Sequence, residues 1–481
     1  MRTAPALALC ATGAAFVLTL SSVLAAPVPV PTKTPQPHVT MTPAPPNAPA
    51  PAASGTPLVL PTAIPWQQST GPAPAPTQLS LSDSEAIALA SSPALESARA
   101  VVDQNNANIG IARSGYLPNL SANATYNRGG VGANNNASLG PLVSTHNTAF
   151  LELKQLILDG GRVSALVQAA RYSTDAAKLT LLRSIQTVLL TVAQQYYAAL
   201  QARHQLQASE RSLEVARVQE HLVEAQYRAG VASRADVLTA QLPVAQAEVT
   251  VAAAQNGEAE NVASLLTTMG LPASTPVLLK DDIAVTGSQP KLSAVMDEAL
   301  HQRTDLAAAK SAVSSAQASV RAAKLAGFPL IDASAAAGSS STTSLGQSYN
   351  ANWQILAGLS FPLYSGGLIR SETDQARAVQ QQADANLQAT VLNVYQNVQQ
   401  AYLQLATADA SLNAAKVALD QARVVLDVTN AQYKAGVTTL PLLLNAQSQL
   451  TTAQSNYVQA LYAFKIAQQN LLYAEGTIAA N

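Results

Sequence analysis

Histidines, cysteines and paired carboxylates are the side chains from which a metal centre or a nucleophile would be built, and here they are few and scattered. The five histidines, His38, His146, His204, His221 and His301, include no pair at the three- or four-residue spacing that sets two imidazoles on one helix face for a metal. His204 and His221 read as solvated helix positions. Asp281-Asp282 is an acidic pair in a connector without a partner histidine, and reads as a solvated turn. Cys10 is the only cysteine, and it falls inside an apolar N-terminal run. No phosphate loop, nucleophile elbow or zinc-protease pattern occurs. These residues predict no catalysis, no metal and no cofactor.

A chain without reactive side chains must work through shape. Of its 481 residues 48% are hydrophobic, largely alanine, while 4% are aromatic and 11% charged, against roughly 25% charged in an ordinary soluble domain. The net charge of −1 and the lack of a Lys/Arg cluster exclude the footprint of a nucleic-acid binder. Arg2, an apolar run from Ala4 to Leu20 and the small residues around Ala25-Ala26 predict a cleaved secretory signal over 1–25 and therefore export. Cys10 would leave with it, so the mature chain carries no disulfide, thiol or lipid anchor. Pro27 to Pro76 holds 16 of the 27 prolines, so residues 26–78 are expected to be an extended tether. Beyond the signal no run of 18 apolar residues occurs, which leaves strands as the only candidates for crossing a bilayer.

The elements are written twice. Leu158-Asp159-Gly160-Gly161-Arg162 returns as Tyr364-Ser365-Gly366-Gly367-Leu368, and Tyr227-Arg228-Ala229-Gly230-Val231 returns as Tyr433-Lys434-Ala435-Gly436-Val437. Both pairs share one offset, which makes the chain an internal duplication. The first repeat is expected over 79–270 and the second over 292–476, with a connector at 271–291 and a short tail.

Within the first repeat, a capping-box pattern at Ser82–Glu85 predicts a helix to Gly115. Two strands follow, flanking a turn-rich segment from Gly129 to Gly140. Arg162 to Ala229 then contains no glycine or proline, so a helix of about 100 Å is expected. Leu182, Ile185, Leu189, Val192, Tyr196, Ala199, Leu206 and Leu213 would form its coiled-coil seam. Gly230 fits a left-handed C-cap, Ser233 to Asp236 caps the returning helix to Met269, and Pro243 should kink that helix. The second repeat has Leu292–Ala326, strands over Pro329–Ser365, a long helix over Leu368–Ala435 with a seam at Val391, Tyr395, Val398, Tyr402, Leu405, Leu412 and Leu419, and a return from Leu442 to Glu475.

Trp353, Ile355, Ala357, Leu359, Phe361 and Leu363 alternate with more polar residues, and Phe150, Phe328 and Phe361 lie in or beside the strands. Taken alone the strands fit a membrane barrel and a small soluble sheet equally. Strand edges separate the two: four strands leave two open edges, which hydrocarbon does not tolerate, so in a membrane the sheet must close through other copies. Three copies give twelve strands.

Ser-Asp-Ser-Glu-Ala-Ile at Ser82–Ile87, the Tyr-Leu-Pro and Gly-Phe-Pro lead-ins to the strands, both Gly-Gly turns, and Tyr-Arg-Ala-Gly-Val-Ala-Ser-Arg-Ala-Asp-Val-Leu with its repeat resemble the TolC-like outer-membrane efflux protein family, from Leu79 to Gly476. The resemblance implies a mainly α fold with a membrane β-barrel portion, in which a homotrimer forms a 12-stranded barrel and an α-helical periplasmic tube. It implies an outer-membrane location, lipid around the barrel, and a periplasmic adaptor and inner-membrane pump as partners. Gly230, Val231, Gly436 and Val437 would be the adaptor-contacting hairpin tips. Asp236, Tyr433, Thr438, Leu442 and Asn445 would be the periplasmic gate region. Asp236 matches the acidic position of the first tip, whereas Leu442 and Asn445 replace the acidic rings of some members and Thr438 replaces a basic residue.

The expected function is the passive exit duct of a tripartite pump for small molecules. The exit duct of a type I protein secretion system is a second transport reading. A structural periplasmic or surface coiled-coil protein is a reading of another class, and strand pairs set between the helices of both halves argue against it.

Overall fold

The computed structural model describes residues 77–131, 142–281, 290–343 and 347–478. The expected signal, Cys10, His38, nearly all of the proline-rich leader, Asp282 and most of the Gly129–Gly140 segment lie outside them. In chain order the elements are β1 (Thr77–Leu79), α1 (Leu81–Ser91), α2 (Pro93–Ser114), β2 (Asn119–Val131), β3 (Leu142–Leu158), α3 (Arg162–Arg228) and α4 (Arg234–Thr268). The second repeat runs through β4 (Val277–Leu279), α5 (Leu292–Gln302), α6 (Thr304–Leu325), β5 (Leu330–Thr343), β6 (Gln347–Ser360), α7 (Leu368–Lys434) and α8 (Leu440–Glu475).

Helices α3 and α7 have 67 residues each, so both are about 100 Å long. Each begins at a Gly-Gly turn with positive φ: 66° and 91° at Gly160 and Gly161, 63° and 85° at Gly366 and Gly367. A Cβ on Gly160 would lie 2.7 Å from the Cβ of Phe328 in the other repeat, so close packing as well as backbone conformation requires glycine there. Asp159 caps the start of α3 by accepting from the Gly161 amide at 2.9 Å and from the Val163 amide.

The ascending helices differ from expectation because each is broken into two. Ser92 is extended, with ψ 120°, since a following proline disfavours the helical region. Arg303 occupies the equivalent position and is also extended, with ψ 118°. The first capping box starts two residues earlier than expected: Ser80 accepts from the Asp83 amide, and Asp83 accepts from the Ser80 amide at 3.0 Å. Glu85, expected to close the box, is instead buried. α4 continues through Pro243 as one helix.

The helices form a single-layer wall. Beside the strands, α3 packs between α2 and α6, and α7 packs on α6; toward the hairpin tips α3 packs between α4 and α8, and α7 packs on α8. Two neighbours explain how the α3 seam departs from expectation. Leu189, Val192, Tyr196 and Ala199 are buried, but Leu182 is exposed, Leu206 and Leu213 are half-buried, and the buried line shifts to Ser209, Ala216 and Val223. On α7, Val398, Leu405, Leu412 and Leu419 hold the seam, while Val394 and Ala401 are buried in place of their neighbours Tyr395, which is exposed, and Tyr402, which is half-buried like Val391.

At mid-height β1 and β4 make a three-residue parallel pair, Thr77↔Val277 to Leu79↔Leu279, which α3 straps down. The Tyr196 hydroxyl is 3.1 Å from the Leu79 carbonyl and 2.6 Å from that of Lys280, and Arg203 donates to the Leu279 carbonyl at 2.9 Å. The reading of His204 as a solvated helix position and of Asp281 as lacking a partner histidine is corrected here, although Asp281 is exposed. Their side chains meet at 2.6 Å, and the imidazole stacks on Tyr462 with ring centres 5.8 Å apart.

The break at Arg303 holds the repeats together. Its side chain, 3% exposed, binds the Asp305 carboxylate with two nitrogens, Nε at 3.0 Å. Arg183 of α3 approaches the same carboxylate at 3.9 Å, lies 3.6 Å over the Tyr473 ring and donates to the Tyr473 carbonyl. Two cations thus meet the negative end of the α8 dipole. Burial alone would raise the Asp305 pKa, but the hydrogen bonds and charge of Arg303, followed by the charge of Arg183, hold it below the usual carboxylate range. Removing one partner of such a pair leaves buried charge uncompensated, so Asp305→Ala is expected to cost about 3 kcal/mol. Because the folded pKa is depressed, the stabilisation is full above the unfolded value and is lost as pH falls through the folded one. Denaturant titrations at pH 7 and at progressively lower pH should show the Asp305→Ala penalty shrinking toward acid.

Candidate functional site: the sheet faces and the hairpin tips

The four strands pair antiparallel in the order β2-β3-β5-β6, and their register assigns every side chain to one of two faces. Leu120, Ala122, Ala124 and Tyr126 of β2 share a face with Ala149, Leu151 and Leu153 of β3, with Ile331, Ala333, Ala335 and Ala337 of β5, and with Trp353, Ile355, Ala357 and Leu359 of β6. Between the rows of Tyr126 and Leu359 this face carries no charged side chain among the described residues. It is also open: Leu120 is 68%, Ile355 74% and Trp353 76% exposed.

The opposite face carries most of the polar residues, Ser121, Asn123 and Thr125, then Thr148, Glu152 and Lys154, then Asp332, Ser334 and Ser340, then Asn352 and Gln354, with Phe150, Leu156, Ala336 and Leu356 among them. Glu152 and Lys154 pair at 3.1 Å. Strands of 13 to 17 residues exceed the roughly 9–11 needed to cross a bilayer at a tilt. An apolar outer face and a polar inner one is the arrangement of a membrane barrel wall around a wet lumen.

At the far end of the wall both hairpins close alike. Gly230 and Gly436 are left-handed, with φ 79° and 73°. The Val231 amide reaches back to the Gln226 carbonyl and the Val437 amide to the Gln432 carbonyl, each at 2.9 Å. Val231 and Val437 project as apolar knobs, 80% and 77% exposed. Ser233 caps α4 in a box with Asp236, as its spacing predicts.

The expected gate residues are not brought into one cluster. The Asp236 carboxylate is engaged by the hydroxyl and amide of Ser233, whose hydrogen bonds hold its pKa below the usual range. Tyr433 turns instead to α3, where its hydroxyl donates to Gln226 Oε1 at 3.2 Å. Thr438 is half-buried, and Leu442 and Asn445 stand exposed on one face of α8. Beneath the Tyr433–Gln226 bond lies a small apolar clasp of Val223, Ala240 and Leu440, with Val237 and Leu444 against it. Gln226, Val223 and Leu440 were not singled out in the sequence. For Val223 a signal existed, the seven-residue line from Ser209 through Ala216.

Residues 86–271 and 295–477 match the model of the family described as outer membrane efflux protein. Protein CyaE of Bordetella pertussis is 28% identical over 80% of this chain and 81% of its own length. The outer membrane protein TolC of Escherichia coli K12 is 26% identical, covering 81% of each chain. Among solved structures, the Campylobacter jejuni CmeC outer membrane channel superposes with a TM-score of 0.72 at 16% identity, over 82% of this chain and 85% of that one.

Proposed function

Because this chain belongs to the outer membrane efflux protein family, and is therefore an outer-membrane channel reaching into the periplasm rather than an enzyme, we propose that three copies close into the passive exit duct of a tripartite pump for small molecules. The observation that carries this reading is the wall itself, with one apolar and one polar sheet face and two edges without a partner. One edge is β2, α2 and α4; the other is β6 and α7. Counted from the tip, the exposed residues Leu238, Leu242 and Val249 of α4 are spaced four and then seven apart, and so are Val428, Val424 and Val417 of α7. Stripes with equal spacing on opposite edges suit a head-to-tail contact, which closes into a ring.

In this reading the tips, with Val231 and Val437 as knobs, meet a periplasmic adaptor that links the duct to an inner-membrane pump. Leu442 and Asn445 line the constriction in place of acidic rings, and Asp236, Tyr433 and Thr438 belong to the same gate. The same wall would also serve as the exit duct of a type I protein secretion system, which is the second reading. Disrupting the gene and measuring accumulation of a dye or drug alongside the secreted proteins tests both. Raised accumulation with an unchanged secretome is expected; unchanged accumulation with a missing secreted protein would replace the first reading by the second.

A further inference from the structure

We propose that Asp332 sets the charge preference of the barrel and biases the duct toward cationic over anionic small molecules. This rests on the reading of the polar sheet face as a lumen, and adds to it the class of solute that the lumen favours. Among the described strand residues the ionisable acidic and basic side chains are Arg128, His146, Glu152, Lys154 and Asp332. Register puts Arg128 on the apolar face beyond Tyr126, and the other four on the polar face. His146 is bonded to the Thr342 hydroxyl at 2.9 Å. Glu152 and Lys154 neutralise each other.

Asp332 is left without a hydrogen-bonded or ionic partner among the described residues. Its cross-strand neighbours are Leu156 and Gly358, and neither can compensate it. A Cβ on Gly358 would lie 3.1 Å from Asp332 Oδ1, so the carboxylate lies across the polar face in a space that a larger residue would take. The first-repeat counterpart is Ser121, so the charge is not offset by the duplication. At the other end of the duct the Asp236 carboxylate is held by its own capping box, and Leu442 and Asn445 are neutral. Each copy therefore brings one uncompensated negative charge to the described barrel lumen, and closure of several copies sets these charges in a ring.

The test uses the full chain in outer membranes with Ser360→Cys as a reporter. Ser360 lies on the polar face, diagonal to Asp332 across the β5–β6 pair, where such neighbours are about 7–8 Å apart. Rates of labelling by a cationic and an anionic methanethiosulfonate are compared as a ratio, which cancels any change in thiol reactivity. At that distance in water, Asp332→Asn is expected to lower the cation-to-anion ratio roughly sevenfold at low salt, with the effect shrinking as ionic strength rises. The double variant Glu152→Gln with Lys154→Gln should leave the ratio within about twofold. Labelling by both reagents with a ratio unmoved by Asp332→Asn would overturn this inference and leave the duct standing. Labelling by neither reagent would overturn the lumen assignment, and this inference with it.

Discussion

Ile355→Lys is expected to abolish assembly in the outer membrane, while Gln354→Lys, one residue away on the same strand, is expected to leave it intact. Ile355 lies on the face that is apolar across all four strands, paired with Ala335 on β5, which in turn pairs with Leu153 on β3. Gln354 lies on the polar face, opposite Ala336 and in the same row as Glu152. A lysine facing lipid near the middle of the bilayer costs about 2–4 kcal/mol per site. In a three-copy ring that cost is incurred three times, comparable to the whole stability of many domains. The lumen position carries no such penalty, because water solvates the ammonium there. The readout is the heat-sensitive oligomer in outer-membrane fractions, with periplasmic chain counted as failed assembly. Equal tolerance of both lysines would remove the sheet from lipid, and equal failure would show that the register, not the lipid, is what lysine disturbs.

That contrast depends on register, which separates what the sequence made legible from what it did not. Alternation was visible from Trp353 to Leu363, although β6 ends at Ser360, but a single alternating strand cannot say which side meets lipid. The alanines of β5 and the leucines of β3 join that face only once the strands are paired. The long helices were legible because 68 residues without glycine or proline admit few alternatives, and both hairpin turns because Gly230 and Gly436 stand where a left-handed residue is needed. The breaks at Ser92 and Arg303 were less so: Pro93 signals the first, whereas nothing local signals the second, whose arginine finds its partners in Asp305 and in α8. β1 and β4 were hidden because three residues carry no periodicity. The same limit applied at the tips, where Asp236 matched a family position while its carboxylate was already committed to Ser233.

Leu440→Ala should open the periplasmic end of the duct, and Gln226→Ala should do so more weakly. Leu440 is the first residue of α8, 6% exposed, and fills the clasp between Val223 of α3 and Ala240 of α4, so it fastens the second hairpin to the first. Truncating a buried leucine costs about 2–5 kcal/mol. If the clasp is made only in the closed state, a loss of about 2 kcal/mol raises the open-to-closed ratio roughly thirtyfold in each copy. The neutral hydrogen bond between Tyr433 and Gln226 contributes about 1 kcal/mol, which is roughly fivefold. Neither contact involves a carboxylate, so both effects should persist across pH and salt, unlike those of a gate tied by ions. Single-channel recordings of the purified oligomer would measure the open fraction directly. In cells the same variants should admit a large antibiotic that the outer membrane otherwise excludes. A Leu440→Ala channel with unchanged open fraction and intact assembly would mean that the clasp travels with the hairpins as they move, and that closure is decided between copies.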